Sequence, residues 1–227
     1  MALNHSNREY EAELQELRRA ILEMGGRIEE MIRDSVRALV ERDTELARRT
    51  IAADAHVNRL EIDTDELCLR ILARRQPMAS DLRFISIAFK MVTDLERIGD
   101  LAVNVAERAI DLNAHPELKP YDDTQRMADI AREMVSGAIE SFIEYDAERA
   151  AAIIARDDEV DELYHTIFRE MLGLMLADLS VVERGIHIQS AAKFLERIGD
   201  HATNLAEQVI FMAKGRDVRH EGKLPKG

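Results

Sequence analysis

A single cysteine, Cys68, stands in 227 residues. One thiol excludes a disulfide framework within the chain and a cysteine-rich zinc site. It lies in a helical pattern beside Leu67 and Leu69, so it reads as a core thiol. Tryptophan is absent, aromatics total 4% and prolines number four; a β-sandwich or barrel needs more turn residues than this chain supplies. No apolar run approaches the length of a membrane-spanning helix. The opening MALNHSNREYEAELQEL lacks the shape of a signal peptide. A cytoplasmic protein with no direct membrane insertion is therefore expected. Positive charge is short as well. The net charge of −13 speaks against binding nucleic acid and against an anionic membrane surface, and it suits binding cations. There is no glycine-rich phosphate loop and no Ser/His/Asp or Cys/His arrangement, so no enzyme activity is expected.

What the chain does have is helix-forming periodicity, written twice. Leu95-Glu96-Arg97-Ile98-Gly99-Asp100 returns as Leu195-Glu196-Arg197-Ile198-Gly199-Asp200, and over 95–107 and 195–207 ten of thirteen positions are identical. A repeat of that length marks one unit built twice. At about 100° per residue, Leu95, Ile98, Ala102, Val105 and Ala109 form an apolar stripe. Glu96, Asp100, Asn104 and Glu107 form a narrow polar stripe nearly opposite, on the outside of whatever the apolar stripe buries. The second copy repeats both. Earlier in each half, Met31, Val36, Leu39, Asp43 and Ala47 find Met134, Ile139, Phe142, Asp146 and Ala150 at an offset of 103.

These patterns predict an all-α protein of six long helices arranged as two repeated antiparallel three-helix bundles. The first bundle spans 8–115 and the second 120–214, with a flexible tail over 215–227 and frayed residues at 1–7. Helices are expected from about Glu9 to Val40, from about Thr44 to Arg74, and from Ser80 or Asp81 to near Asn113, with Asp43 or Thr44 as an N-cap. Gly25-Gly26 is a candidate kink. The six helices either share one elongated body or form two bundles side by side.

Within a three-helix bundle the second and third helices are antiparallel neighbours. Asp54, Asn58, Glu61 and Asp65 make a polar stripe on the second helix, so a first external groove is expected to hold Glu96 and Asp100 opposite Asp54, Asn58 and Glu61. A second would hold Glu196 and Asp200 opposite Asp157 and Asp161, with Asn104, Asn204 and Glu162 as further candidates. Carboxylates at i, i+4 repel slightly, and Gly99 and Gly199 each cost about 1 kcal/mol in a helix interior. Two readings stay open here: a solvated outer face over close helix packing, or oxygen-rich sites for hard ions such as iron, Mn, Mg or Zn. With Asp161 where the first half has Asn58, the second groove is expected to hold metal more tightly.

The duplicated Glu96–Asp100 and Glu196–Asp200 pairs, with the second-helix segments Asp54-x-x-Val57-Asn58-x-Leu60-Glu61 and Asp157-x-Glu159-Val160-Asp161-x-Leu163, resemble the PhoU family over about residues 8–213. The resemblance implies a homodimeric cytoplasmic regulator of phosphate uptake and phosphate-responsive gene expression. It implies as partners the ATPase subunit of a phosphate ABC transporter and a phosphate-sensing histidine kinase. It also implies metal clusters held on the bundle surface by the motif acids. The rival is a carboxylate-bridged di-iron oxidoreductase, whose sites use two Glu-x-x-His motifs facing a bundle core; this chain offers one, Glu162-x-x-His165. His201, beside Asp200, is a candidate extra ligand, and His187, between Ile186 and Ile188, a candidate partner contact.

Overall fold

The computed structural model describes residues 2–215, with side chains from Arg8 onward; residues 216–227 of the expected tail lie outside the described residues. The elements are α1 (Ala2–Val40), α2 (Thr44–Arg75), α3 (Ala79–Asn113), α4 (Asp122–Glu144), α5 (Ala147–Ile154), α6 (Asp157–Ala177), a short 3₁₀ turn (Leu179–Val181) and α7 (Val182–Lys214). The expected fold class holds: no strand occurs among the described residues, and six helical rods form two antiparallel three-helix units. α1 is helical from Ala2 rather than frayed.

The fifth rod is bent, which periodicity did not announce. Between α5 and α6 the backbone tightens to i→i−3 bonds, from Arg156 N–H to Ile153 O and from Glu159 N–H to Arg156 O, each 3.0 Å. Arg156 also reaches across to Glu133 of α4 at 3.0 Å. The bend places Asp157 at the first residue of α6. Its counterpart Asp54 lies inside the unbroken α2.

The first turn of each half is built alike. Arg42 and Tyr145 occupy the left-handed region at φ 57° and 59°, a cost of roughly 1–2 kcal/mol for a non-glycine residue. Each is followed by an aspartate N-cap. Asp43 accepts from Leu46 N–H at 2.9 Å, and Asp146 from Glu148 N–H and Arg149 N–H at 3.0 Å each; such a cap contributes about 1 kcal/mol. Arg42 further donates to the carbonyls of Asn113 and His115, tying the turn to the end of α3. The start of α3 differs from expectation. Met78 is its N-cap residue, without a side-chain bond. Asp81 instead accepts from the Tyr10 hydroxyl at 2.8 Å, pinning the early turns of α1. Those turns have no counterpart in the second half, because α4 begins at Asp122, equivalent to Arg19 of α1.

The two halves lie side by side and share one continuous core. α3 packs antiparallel to α7, and α1 against α4. Phe84 of α3 stacks on Phe142 of α4 at 4.9 Å between ring centroids. Gly25 does not break α1. A Cβ there would stand 2.5 Å from the Ile139 methyl of α4, so this glycine serves as the recess that lets the halves close. Cys68 is fully buried, and burial pushes its thiol up to about 12.

Candidate metal-binding grooves

Gly99 and Gly199 set the grooves. A Cβ on Gly99 would meet Val57 at 3.4 Å and Asp54 Oδ1 at 3.8 Å. On Gly199 it would meet Asp157 Oδ1 at 3.3 Å and Val160 at 3.4 Å. What comes close to these mid-helix glycines is the neighbouring helix itself, and it brings that helix's aspartate along. Val57 and Val160 are fully buried beneath, so the valine sets the register and the aspartate one turn away is carried to the groove floor.

In the first groove Asp54, Glu61, Glu96 and Asp100 act on one another. Burial, and then the Asp100 charge, hold Asp54 above the usual carboxylate range; a 2.8 Å bond from Asn58 Nδ2 to its Oδ2 opposes this. Burial also raises Glu96, with the charges of Asp100, Glu61 and Asp54 adding to it. Burial and then Asp65 raise Glu61, and burial alone raises Asp65. Arg97 answers part of this charge, 3.6 Å from Glu96 and 3.5 Å from Asp100. Asp54 Oδ1, Asn58 Oδ1 and Asp65 Oδ1 are nevertheless buried with no hydrogen-bond partner.

The second groove holds the carboxylic acid with the largest shift. Asp157 is pushed up to about 6 by burial first, then by Asp161, Asp200 and Glu196. Thr203 offsets part of the shift, although its hydroxyl stops short of a hydrogen bond. Lys193 bonds Glu196 Oε1 at 2.5 Å, while Glu196 Oε2 stays buried and unpaired. Glu196 keeps 13% of its side chain exposed and Glu96 18%. Glu96 and Glu196, with Asp54 and Asp157 facing them, therefore form the half-buried floor of each groove, while Glu107 and Asp200 on the same stripes are exposed. Among the described residues no three His, Cys, Asp or Glu side chains form a group that could hold a metal ion; in this conformation the acids are electrostatic neighbours, not a closed ligand shell.

The structure thus gathers Asp54, Glu61, Glu96 and Asp100 in one groove and Asp157, Asp161, Glu196 and Asp200 in the other. Glu162 is not among them. It lies exposed, in a shallow depression shared with His165, Thr166, Phe168 and Arg169. The Glu-x-x-His pair of the di-iron alternative therefore faces away from any bundle core. His201 points away from Asp200 as well: its Nδ1 lies 3.0 Å from Asp94 Oδ1 on α3, and Gln208 Nε2 donates to the other oxygen at 2.8 Å. On a helix the residue next to Asp200 is turned about 100° away, onto the face between the halves. His187 is half-buried on that same face, 3.6 Å from Asp111. Lys193 and Thr203 were missed from the sequence. The only signal for Thr203 is that it stands where the first copy has Val103.

The chain is similar to known proteins over nearly its whole length. A family model described as the PhoU domain matches residues 21–109 and 124–209. The phosphate-specific transport system accessory protein PhoU homolog of Pseudomonas putida is 42% identical over 220 residues, covering 96% of this chain and 86% of that protein. The accessory protein PhoU of Escherichia coli is 32% identical over 218 residues, covering 96% and 90%. The crystal structure of PhoU from Pseudomonas aeruginosa superposes with a TM-score of 0.88 at 42% identity, over 91% of this chain and 100% of that one. The phosphate transport system regulatory protein PhoU from Streptococcus pneumoniae gives 0.86 at 26% identity, over 92% and 99%.

Proposed function

This chain belongs to the PhoU family, and on that premise we propose that it restrains phosphate uptake and the phosphate-starvation response as a metal-binding helical adaptor. In this reading it works in the cytoplasm as a homodimer, between the ATPase of a phosphate ABC transporter and a phosphate-sensing histidine kinase. Its relatives are named as accessory and regulatory proteins of phosphate transport, which fits a protein that acts by binding rather than by catalysis. No helix among the described residues is long and apolar enough to cross a membrane.

The observation that carries the metal part is the pair of grooves with orphaned, half-buried carboxylate oxygens. A buried oxygen with no donor is costly, and these acids are raised first by burial and then by one another's charge, a repulsion that a cation would relieve. An all-oxygen donor set fits a hard cation such as Mn, Mg or iron, with Asp157, Asp161, Glu196 and Asp200 as the ligands in the second groove and Asp54, Glu96 and Asp100 in the first. A bound ion would join α2 to α3 and α6 to α7, fixing the faces offered to partners.

Deleting the gene from its source organism tests the regulatory reading. The expected result is expression of phosphate-starvation genes in phosphate-rich medium, restored to repression by the wild-type chain; unchanged expression after deletion overturns it.

A further inference from the structure

The two copies of the repeat differ in the base that answers their acids. At the offsets that align the halves, Tyr164 stands where the first half has Glu61, and Lys193 where it has Thr93. The first groove is answered from its rim. Arg97 lies against Glu96 and Asp100, and its charge also reaches Glu61. Thr93 takes no part, its hydroxyl donating to Phe89 O. In the second groove the base spans the gap between the helices. Lys193, Glu196 and Asp200 fall at i, i+3 and i+7, on one face of α7. Lys193 Nζ bonds Glu196 Oε1 at 2.5 Å, and the Asp200 charge acts on it too. The ammonium also lies 5.2 Å from the centre of the Tyr164 ring on α6, a cation–π contact across the groove. His165 and Phe168 flank that ring, with centroids at 5.6 and 6.4 Å. Arg197, the counterpart of Arg97, is exposed and ion-pairs with no described acid.

We propose that Lys193 is a tethered counter-cation: it holds Glu196 while the second groove is free of metal and gives it up when an ion binds, so that this one side chain sets the groove's apparent metal affinity. The proposal rests on the metal-binding reading and adds to it how the second groove is regulated. The surroundings of Glu196 carry it. Its side chain is only 13% exposed, Oε1 is taken by Lys193, and Oε2 is buried with no partner. Glu196 therefore has one oxygen to spare, and it offers both only after Lys193 has left. Leaving is open to Lys193, whose side chain is 46% exposed. Its flexible four-carbon stem lets the ammonium swing into solvent with its proton, and no covalent bond changes. The Asp161 that replaces Asn58 and the Lys193 that replaces Thr93 thus pull the affinity of this groove in opposite directions.

Calorimetric titration with Mn²⁺, at pH 7.5 and low ionic strength, tests this. The reference is the full chain carrying Glu96→Gln/Asp100→Asn, which leaves the second groove alone intact. Adding Lys193→Met, which keeps an apolar stem on Tyr164, should tighten Mn²⁺ binding about fivefold, the upper end of what a partly exposed ion pair contributes. Adding Lys193→Thr, the residue of the first copy, should do the same. Adding Arg197→Met should leave the affinity within about twofold of the reference, because an exposed charge outside any ion pair acts weakly. Circular dichroism verifies that each variant is folded. In the wild type, acetic anhydride should label Lys193 faster in saturating Mn²⁺ than in chelator, with exposed Lys90 unchanged; mass spectrometry reads both. Equal or weaker binding by the Lys193 variants, an equal gain from Arg197→Met, or Lys193 labelling that metal does not speed overturns the proposal and leaves the grooves as metal sites. If neither the reference nor any variant binds Mn²⁺, the metal reading falls and this proposal with it.

Discussion

Asp157→Asn should make the metal-free protein more stable at pH 7.5, by about 1–2 kcal/mol, although it removes a groove acid. Asp157 is an acid held near 6 against an ordinary 3.8. The native state therefore binds its proton more tightly than the unfolded chain does. Stability from this group is undiminished below about pH 4, falls as pH rises from about 4 to 6, and carries the full penalty above about 6. The shift corresponds to at most about 3 kcal/mol, and solvent screening of a half-buried group reduces it to the figure given. Asparagine keeps the shape and removes the charge that Asp161, Asp200 and Glu196 oppose. The midpoint of thermal unfolding should rise by roughly 3–6 °C at pH 7.5, and the gain should vanish by pH 4. A variant that melts below wild type at pH 7.5 in chelator would mean the carboxylate is needed to hold α6 against α7. A side chain that costs stability where it stands is kept for its chemistry.

Manganese should reverse that ranking. A ligand that binds only the native state stabilises it by mass action, by about 2.7 kcal/mol at a hundredfold excess over Kd, so wild type in Mn²⁺ should melt several degrees higher than in chelator. The gain should shrink below about pH 6, because the ion competes with the proton that Asp157 holds there. The two grooves should contribute unequally. With Asp161 in the second and Asn58 in the first, Glu196→Gln/Asp200→Asn should lose more of the metal-induced shift than Glu96→Gln/Asp100→Asn. Helicity should survive in both, since the substituted side chains lie off the core. Scanning calorimetry with and without Mn²⁺ at pH 7.5 and 5 reads all of this. Equal melting with and without metal would leave the acids without a cation role.

Why the fold was so far legible, and where it stopped being so, comes down to range. Apolar spacing, the Asp43 cap and the repeat that sets Asp146 where Asp43 stands are local properties, and they placed the helices and the first turn of each half. The acid stripes were legible for the same reason, since i, i+4 spacing fixes a helix face. Their meeting depends on register, which is set by Gly99 over Val57 and Gly199 over Val160; the mid-helix glycines hinted at it without naming the partner. Three features lay beyond local pattern. The bend at Ala155–Arg156 involves neither proline nor glycine. The recess at Gly25 is defined by Ile139, a residue from the other half. His201 sits beside Asp200 in sequence but faces Asp94 across the α3–α7 contact, which becomes visible only once the halves are packed side by side.

The measurement closest to the central claim is elemental analysis of the full chain purified without chelator or affinity metal. It should be made beside the variant in which Glu96 and Glu196 become Gln and Asp100 and Asp200 become Asn. The grooves predict stoichiometric Mn, Fe, Mg or Zn in the wild type and its loss in an equally helical variant. Wild type that stays metal-free under supplementation with each of these ions, or a variant that retains the same metal, would contradict it.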